Sequence, residues 1–336
     1  MRTIDFLEQG DGAITLIDQR LLPHEKKILT IKTHQELIEA IQTLAVRGAP
    51  ALGVAGALGV ALIALRSQQQ GWSQEEIDSA ISALRAARPT AVNLAWGVDQ
   101  VIPELVNGPS SVLKSALAIS RADGLANRAM GKLGAAYLLE KCGKKKLRIL
   151  THCNTGSLAT SDWGTALGVI RELSDQGYIE EVFADETRPL LQGSRLTAWE
   201  LSEAGIKYRI LPDGAAASAL FSGLIDAVLI GADRIARNGD SANKIGSLGV
   251  AVAAKESGVP FLVVAPESTI DRSLASGDEI EIEFRADSEV THFAGIAVAP
   301  LGSKSYNPAF DVTLARYITA IVTEKCVYQI SKGEAL

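Results

Sequence analysis

From residue 145 onward the chain alternates short apolar runs with segments whose apolar positions recur every three or four residues. The runs Arg148–His152, Glu181–Ala184, Lys207–Leu211, Ala227–Ile230 and Phe261–Ala265 read as strands. Between them Gly164–Gln176, Arg195–Ala204, Ala215–Ser222 and Ile245–Glu256 carry the helical period. Strand and helix in turn predict βαβ units and an α/β fold with a doubly wound, mostly parallel sheet. Glu279–Phe284 and Gly295–Ala299 are candidates to extend or edge it. Before residue 125 the period is mostly helical, over His34–Ala45, Pro50–Leu65, Ser73–Ala87, Thr90–Ile102 and Ser110–Ala122. Ser73 with Glu76 forms a capping-box pattern, and Pro50 suits a first helical turn. Ala13–Ile17 and Lys27–Ile31 read as strands of a small antiparallel sheet. The change of pattern predicts two domains, residues 1–124 and 125–336.

One apolar stretch needs separate treatment. Ala49 to Leu65 runs 17 residues without a charge, the lower limit for a membrane span. It is rich in Ala and Gly, with Gly53, Gly56 and Gly59 at helical spacing, and nothing comparable follows. We read it as a buried core helix that lets a neighbour approach closely, so no membrane is expected. The net charge of −6, with Lys144-Lys145-Lys146 as the one basic run, argues against nucleic-acid binding. Met1-Arg2-Thr3-Ile4-Asp5 lacks the apolar core of a signal peptide. Three cysteines make no disulfide framework, which predicts a cytoplasmic protein.

Candidate chemistry gathers after the strands. Cys153-Asn154 follows the first, Asp185-Glu186-Thr187-Arg188-Pro189 the second, and Asp213-Gly214 the third. Gly231-Ala232-Asp233-Arg234 follows the fourth and Pro266-Glu267-Ser268-Thr269 the fifth. In open α/β sheets the carboxyl ends of the strands are where ligands bind. No Gly-x-Gly-x-x-Gly or Walker-type loop is present, so no cofactor is implied. His152 and Cys153 are strand neighbours that point to opposite faces, and no second His or Cys group completes a set, so no metal is expected. His24, His34, His152 and His292 read as structural or surface residues. Arg47-Gly48-Ala49-Pro50 and Asn243-Lys244-Ile245-Gly246 place cations and amides at expected helix starts, where an anion is favoured. Arg88, ahead of Pro89, is a further candidate. The residues alone thus describe an α/β enzyme for a phosphorylated substrate, with a Cys and an Asp among its candidates.

Several motifs resemble those of the 5-methylthioribose-1-phosphate isomerases. They are Arg47–Gly53, Arg88–Leu94, Thr151–Gly156, Asp185–Thr197, Gly231–Arg234, Asn243–Gly246 and Asn307–Thr313, in order and over nearly the whole chain. The wider superfamily includes related sugar-phosphate isomerases and regulatory subunits of a translation-initiation exchange factor. The resemblance implies a small amino-terminal sheet and helical bundle followed by a Rossmann-like catalytic domain, as a homodimer acting on a sugar phosphate. By motif it implies Cys153 and Asp233 as the catalytic pair, and Arg47, Gly48, Ala49, Arg88, Gln192, Asn243 and Lys244 as substrate and phosphate contacts. Two departures bear on the substrate. Asp213-Gly214-Ala215-Ala216-Ala217 lacks the family's methionine after the second residue, and Leu314 replaces a proline after Thr313. The first keeps a 5-deoxy sugar phosphate open as the substrate. A regulatory subunit that binds without turnover is the reading from another class, and retention of both Cys153 and Asp233 speaks against it.

Overall fold

The computed structural model describes residues 2–89, 92–143 and 145–336. Met1 of the amino terminus, Thr90 and Ala91 of the Arg88–Leu94 motif, and Lys144 of the basic run lie outside the described residues. The chain forms two compact units, Met1–Arg128 with Thr155–Thr165, and Ala129–Asn154 with Ala166–Leu336.

In the first unit, β1 (Ile4–Leu7), β2 (Ala13–Ile17) and β3 (Ile28–Ile31) form an antiparallel sheet in sequence order. β1 is an addition to the two expected strands. It is followed by α1 (His34–Gln42), α2 (Ala49–Gln70), α3 (Gln74–Arg85), α4 (Val92–Val101) and α5 (Pro109–Lys141). The capping box is present: Ser73 accepts from the Glu76 amide at 3.3 Å, and Glu76 accepts from the Ser73 amide at 2.7 Å. α2 is long and apolar enough to cross a membrane, but 89% of its most apolar window is buried. It is the core helix of this unit, packed against β1, β2, α1, α3 and α4. Its glycines explain the packing with α4. A Cβ on Gly56 would lie 2.6 Å from the Leu94 carbonyl oxygen, and one on Gly97 would lie 1.9 Å from that of Gly53. The helix expected over Ser110–Ala122 is the first part of α5, which runs on unbroken to Lys141.

The second unit is built on β4 (Leu147–Thr151), β5 (Ile179–Asp185), β6 (Tyr208–Leu211), β7 (Ala227–Ile230), β8 (Arg234–Ala236), β9 (Ser241–Lys244), β10 (Phe261–Val264), β11 (Ile270–Asp271), β12 (His292–Phe293), β13 (Ile296–Ala297), β14 (Phe310–Thr313), β15 (Ala320–Val322) and β16 (Val327–Tyr328). Its helices are α6 (Ala166–Asp175), α7 (Ala198–Glu203), α8 (Ala216–Phe221) and α9 (Ser247–Glu256). The main sheet has the order β16-β15-β10-β7-β4-β5-β6, parallel except for β16. Its central strands Ala227–Ile230 and Phe261–Val264 are buried at every position, as strands covered on both faces must be. One face packs α6, α7 and the end of α5 against Ile149, Val182, Leu229 and Leu262. The other packs α8 and α9 against Leu150, Phe183, Val228 and Phe261. This is the doubly wound, Rossmann-like arrangement the alternation predicts.

Two expectations about the sheet fail. Glu279–Phe284 contributes only an isolated bridge, Phe284 to Pro308, and Ile296–Ala297 pairs with His292–Phe293 in a separate hairpin. The edge is made instead by β15 and β16. The second error is local to residues 233–246. There the chain forms the hairpin β8–β9, joined to β11 and β14 in a four-stranded sheet. The turn runs from Ala236 to Gly239, whose amide donates to the Ala236 carbonyl at 2.8 Å, and Gly239 takes the positive φ (+90°) that a glycine in a short hairpin loop supplies.

Candidate active site

The strand order places a switch point between β4 and β7. The chain leaves β4 through α6 toward β5 on one side, and leaves β7 through α9 toward β10 on the other. α6 and α9 lie on opposite faces of the sheet. Divergent connections of this kind open a crevice at the carboxyl ends of the two strands. Thr151 pairs with Leu229, so Cys153 stands two residues beyond one member of that pair and Asp233 four beyond the other. Cys153 and Asp233 therefore leave the same edge of the sheet from adjacent strands.

Cys153 is 6% exposed and adopts a left-handed backbone, φ +62°. For a residue with a Cβ this conformation costs on the order of 1–3 kcal/mol and persists only where neighbours hold it. Its amide donates to Thr187 Oγ1 at 2.9 Å, and its carbonyl accepts from Thr197 Oγ1 at 2.6 Å. The next residue, Asn154, donates to Glu200 Oε1 at 2.8 Å, and Arg171 donates to the other oxygen of Glu200. Thr187 is itself left-handed, φ +66°, as is Leu191, φ +58°. Beyond Leu191 the loop winds into a π-helical turn over Gly193–Thr197. Gly193 is required there, since a Cβ would lie 1.6 Å from the Asp185 carbonyl oxygen. Gln192 precedes it, 5% exposed, with Oε1 lacking a hydrogen-bond partner among the described residues.

His152 is buried, not at the surface. Its Nδ1 meets Asp185 Oδ2 at 2.9 Å and its Nε2 meets the Ile245 carbonyl at 2.8 Å. A carbonyl only accepts, so Nε2 carries a proton. Burial alone would lower the imidazole's pKa, but the Asp185 carboxylate outweighs it and the net shift is upward. Burial likewise pushes the Asp185 carboxyl above its ordinary range, with His152 opposing. Asp213 lies close enough that one ligand atom from each of His152, Asp185 and Asp213 falls within 4.8 Å of the others. Asp185 and Asp213 were candidates by their places after β5 and β6, but their meeting with His152 was not expected. Asp213 accepts the amides of Thr187 and Arg188, both at 2.7 Å, so each of its oxygens already serves the backbone.

Asp233 opens the hairpin, its amide bonded to the Ala242 carbonyl at 2.8 Å, and is partly exposed. Asn243 and Lys244 end β9 and are not at a helix start, which corrects the expectation. Asn243 donates to Ser247 Oγ at 2.8 Å. Lys244 Nζ donates to the Ala309 carbonyl at 2.9 Å and sits 4.4 Å from the Phe310 ring centroid. The helix that follows already has an anion. Asp311, opposite Asn243 on β14, accepts the amides of Gly246 at 2.8 Å and Leu248 at 3.1 Å. Burial pushes its carboxyl upward, with those amides opposing. Asp311 was missed as a capping residue because it lies 65 residues from Gly246 in sequence.

The remaining candidates belong to the first unit. Gly48 caps α2 at φ +95° and has no side chain to close that end. A Cβ on it would lie 2.5 Å from the Ala159 carbonyl oxygen. Arg47 is buried, its Nε donating to Gln19 Oε1 at 3.2 Å, while Gln19 donates to the Leu158 carbonyl at 2.7 Å. Ala49 and Pro50 form the first helical turn, as expected. Arg88 is half-buried in the turn after α3.

The model described as the initiation factor 2 subunit family matches residues 45–329, which take in most of both units. The chain belongs to that family. Among its relatives in the family is a bifunctional methylthioribose-1-phosphate isomerase/methylthioribulose-1-phosphate dehydratase of Nocardia farcinica, 52% identical over 96% of the chain. The chain spans 59% of that relative's length. The 5-deoxyribose 1-phosphate isomerase of Moorella thermoacetica is 47% identical, covering 94% of the chain and 92% of the relative. Of solved structures, the 5-methylthioribose 1-phosphate isomerase of Pyrococcus horikoshii OT3 is 41% identical with a TM-score of 0.88, covering 98% of this chain and 92% of that one. The subunit delta of translation initiation factor eIF-2B from A. fulgidus is 38% identical with a TM-score of 0.84, over 99% and 97%. Proteins with different named roles therefore share this fold, and the choice among them turns on the site.

Proposed function

We propose that the chain is an aldose–ketose isomerase converting 5-methylthioribose 1-phosphate to 5-methylthioribulose 1-phosphate, a step of methionine salvage. The observation that carries the proposal is the departure of Cys153 and Asp233 from adjacent strand ends at a switch point. In this reading Asp233 protonates the ring oxygen as the bond from that oxygen to C1 breaks. The hydrogen on C2 then moves to C1, and the C2 hydroxyl loses its proton to become the ketone. C1 is reduced and C2 oxidised within one molecule, so no external redox partner is needed. Cys153 serves the hydrogen transfer, either by shuttling a proton through an enediol or by stabilising a hydride shift. Arg47, Gly48, Ala49, Arg88, Gln192, Asn243 and Lys244 are the proposed substrate contacts, chiefly to phosphate. The glycine cap of α2 supports the first of these, since it brings no side chain of its own to a helix start where the dipole favours an anion. The reading includes a cytoplasmic homodimer, supported by the three free cysteines and the family resemblance.

A 5-deoxy sugar phosphate is the second reading, favoured by Ala215-Ala216-Ala217 and by the relative from Moorella thermoacetica. Purified protein incubated with 5-methylthioribose 1-phosphate, 5-deoxyribose 1-phosphate and ribose 1-phosphate, followed by carbon and phosphorus NMR, tests both. Ketose from the methylthio sugar at the highest rate is expected. Ketose fastest from the deoxy sugar transfers the assignment to the second reading, and no conversion of any overturns the isomerase.

A further inference from the structure

We propose that Thr187 is a positioning residue for Cys153, and that Asp213 fixes Thr187 for that task. The inference rests on Cys153 being catalytic, as proposed above.

The hydrogen bonds have a single sense. The Cys153 amide can only donate, so Thr187 Oγ1 accepts at 2.9 Å. The Thr187 hydroxyl proton then points to the Asp185 carbonyl, 3.0 Å away, which can only accept. Both functions of the hydroxyl are thereby engaged, in a side chain that is 0% exposed. Thr187 holds a left-handed backbone of its own, and its amide is fixed by Asp213 Oδ1 at 2.7 Å. The second Asp213 oxygen takes the Arg188 amide at 2.7 Å, which sets the turn from two points. Gly193 completes the packing, since a Cβ there would also meet Thr187 Oγ1 at 2.9 Å. The carboxylate of one strand end thus holds the backbone amide of Thr187 after a second, and the Thr187 hydroxyl holds the thiol-bearing residue of a third.

Nothing about this arrangement requires a threonine for bulk. Valine has nearly the same shape and lacks only the hydroxyl, so Thr187→Val removes the restraint with little change in volume. Without it the Cys153 amide loses a hydrogen bond in a buried site, and the strained backbone loses one of the groups that hold it.

The test compares Thr187→Val and Thr187→Ser with the parent, each checked for folding by circular dichroism. Two readouts are taken: kcat and KM for 5-methylthioribose 1-phosphate, and the rate of iodoacetamide labelling of the Cys153 peptide as a function of pH. Thr187→Val is expected to lose about 100-fold in kcat with KM little changed, because the thiol and not the substrate is displaced. Its labelling profile shifts from the parent's, and Thr187→Ser restores both. Parent-like kcat in folded Thr187→Val overturns the proposal, as does failure of serine to rescue. If the parent itself does not turn over any sugar phosphate, the isomerase reading fails separately and labelling alone decides: equal profiles for parent and Thr187→Val overturn the positioning role.

Discussion

Two helix starts in this chain carry the same sequence signature and are built in different ways. Arg47-Gly48-Ala49-Pro50 and Asn243-Lys244-Ile245-Gly246 each put a cation beside small residues ahead of an apolar helix. At α2 the cap is a glycine with a left-handed backbone pressed against Ala159, and Pro50 has no amide to satisfy. At α9 the cap is also a left-handed glycine, but Asp311 reaches across from β14 and accepts two of the first amides. A helix start leaves unpaired amides and positive dipole that call for an anion. α9 obtains its anion from the chain, whereas Gly48 at the start of α2 has no side chain with which to cap it. A cation near a helix start therefore does not identify a phosphate site until the distant partners of the cap are known.

The largest effect that would break this comparison is expected from Gly48→Ala. The added methyl meets the Ala159 backbone and the residue must keep a positive φ, so stability should fall by about 3 kcal/mol. Thermal unfolding of the variant reads this directly, and protection by substrate should shrink with it. A variant as stable as the parent would mean the cap is not confined as described. A smaller effect is expected from Asp311→Ala, about 1–2 kcal/mol from the lost cap. Its sharper consequence is in anion response. Inorganic phosphate should raise the melting temperature of Asp311→Ala more than that of the parent, because only the variant leaves the α9 amides open. An equal phosphate response in both would show that α9 needs no anion.

Much of the second unit was legible because its physics is local. Ala227–Ile230 and Phe261–Val264 are continuous apolar runs, and such runs are what a sheet buried on both faces requires. The Ser73–Glu76 box was legible for the same reason, since both partners lie within one turn. What escaped depends on pairing across long separations. That end of the sheet went to Ala320–Val322 and Val327–Tyr328 rather than Glu279–Phe284, because alternation does not say which run finds the open edge. β9 went unread, with Asn243-Lys244 placed at a helix start, because Ser241–Lys244 is largely polar and is a strand only by its pairing with β8 and β14.

The site divides along the same line. Cys153 and Asp233 stood out as ionisable residues after apolar strands, and the fold brings their strands together. The groups around Cys153 did not stand out. Thr187 and Thr197 act through their hydroxyls on its backbone, and no residue type announces a left-handed φ at a cysteine. His152 read as structural and proved to be held between Asp185 and the Ile245 carbonyl, a partner 93 residues away.

The central claim is that Cys153 and Asp233 perform the hydrogen and proton transfers of one isomerisation. The most direct measurement is turnover of 5-methylthioribose 1-phosphate by Cys153→Ser and Asp233→Asn, each purified and shown to be folded. Each variant should lose about a thousand-fold or more in kcat, the scale of a lost acid–base group, while substrate still shifts the melting temperature. Turnover near the parent's in either folded variant would contradict the assignment of that residue and, with it, the catalytic pair.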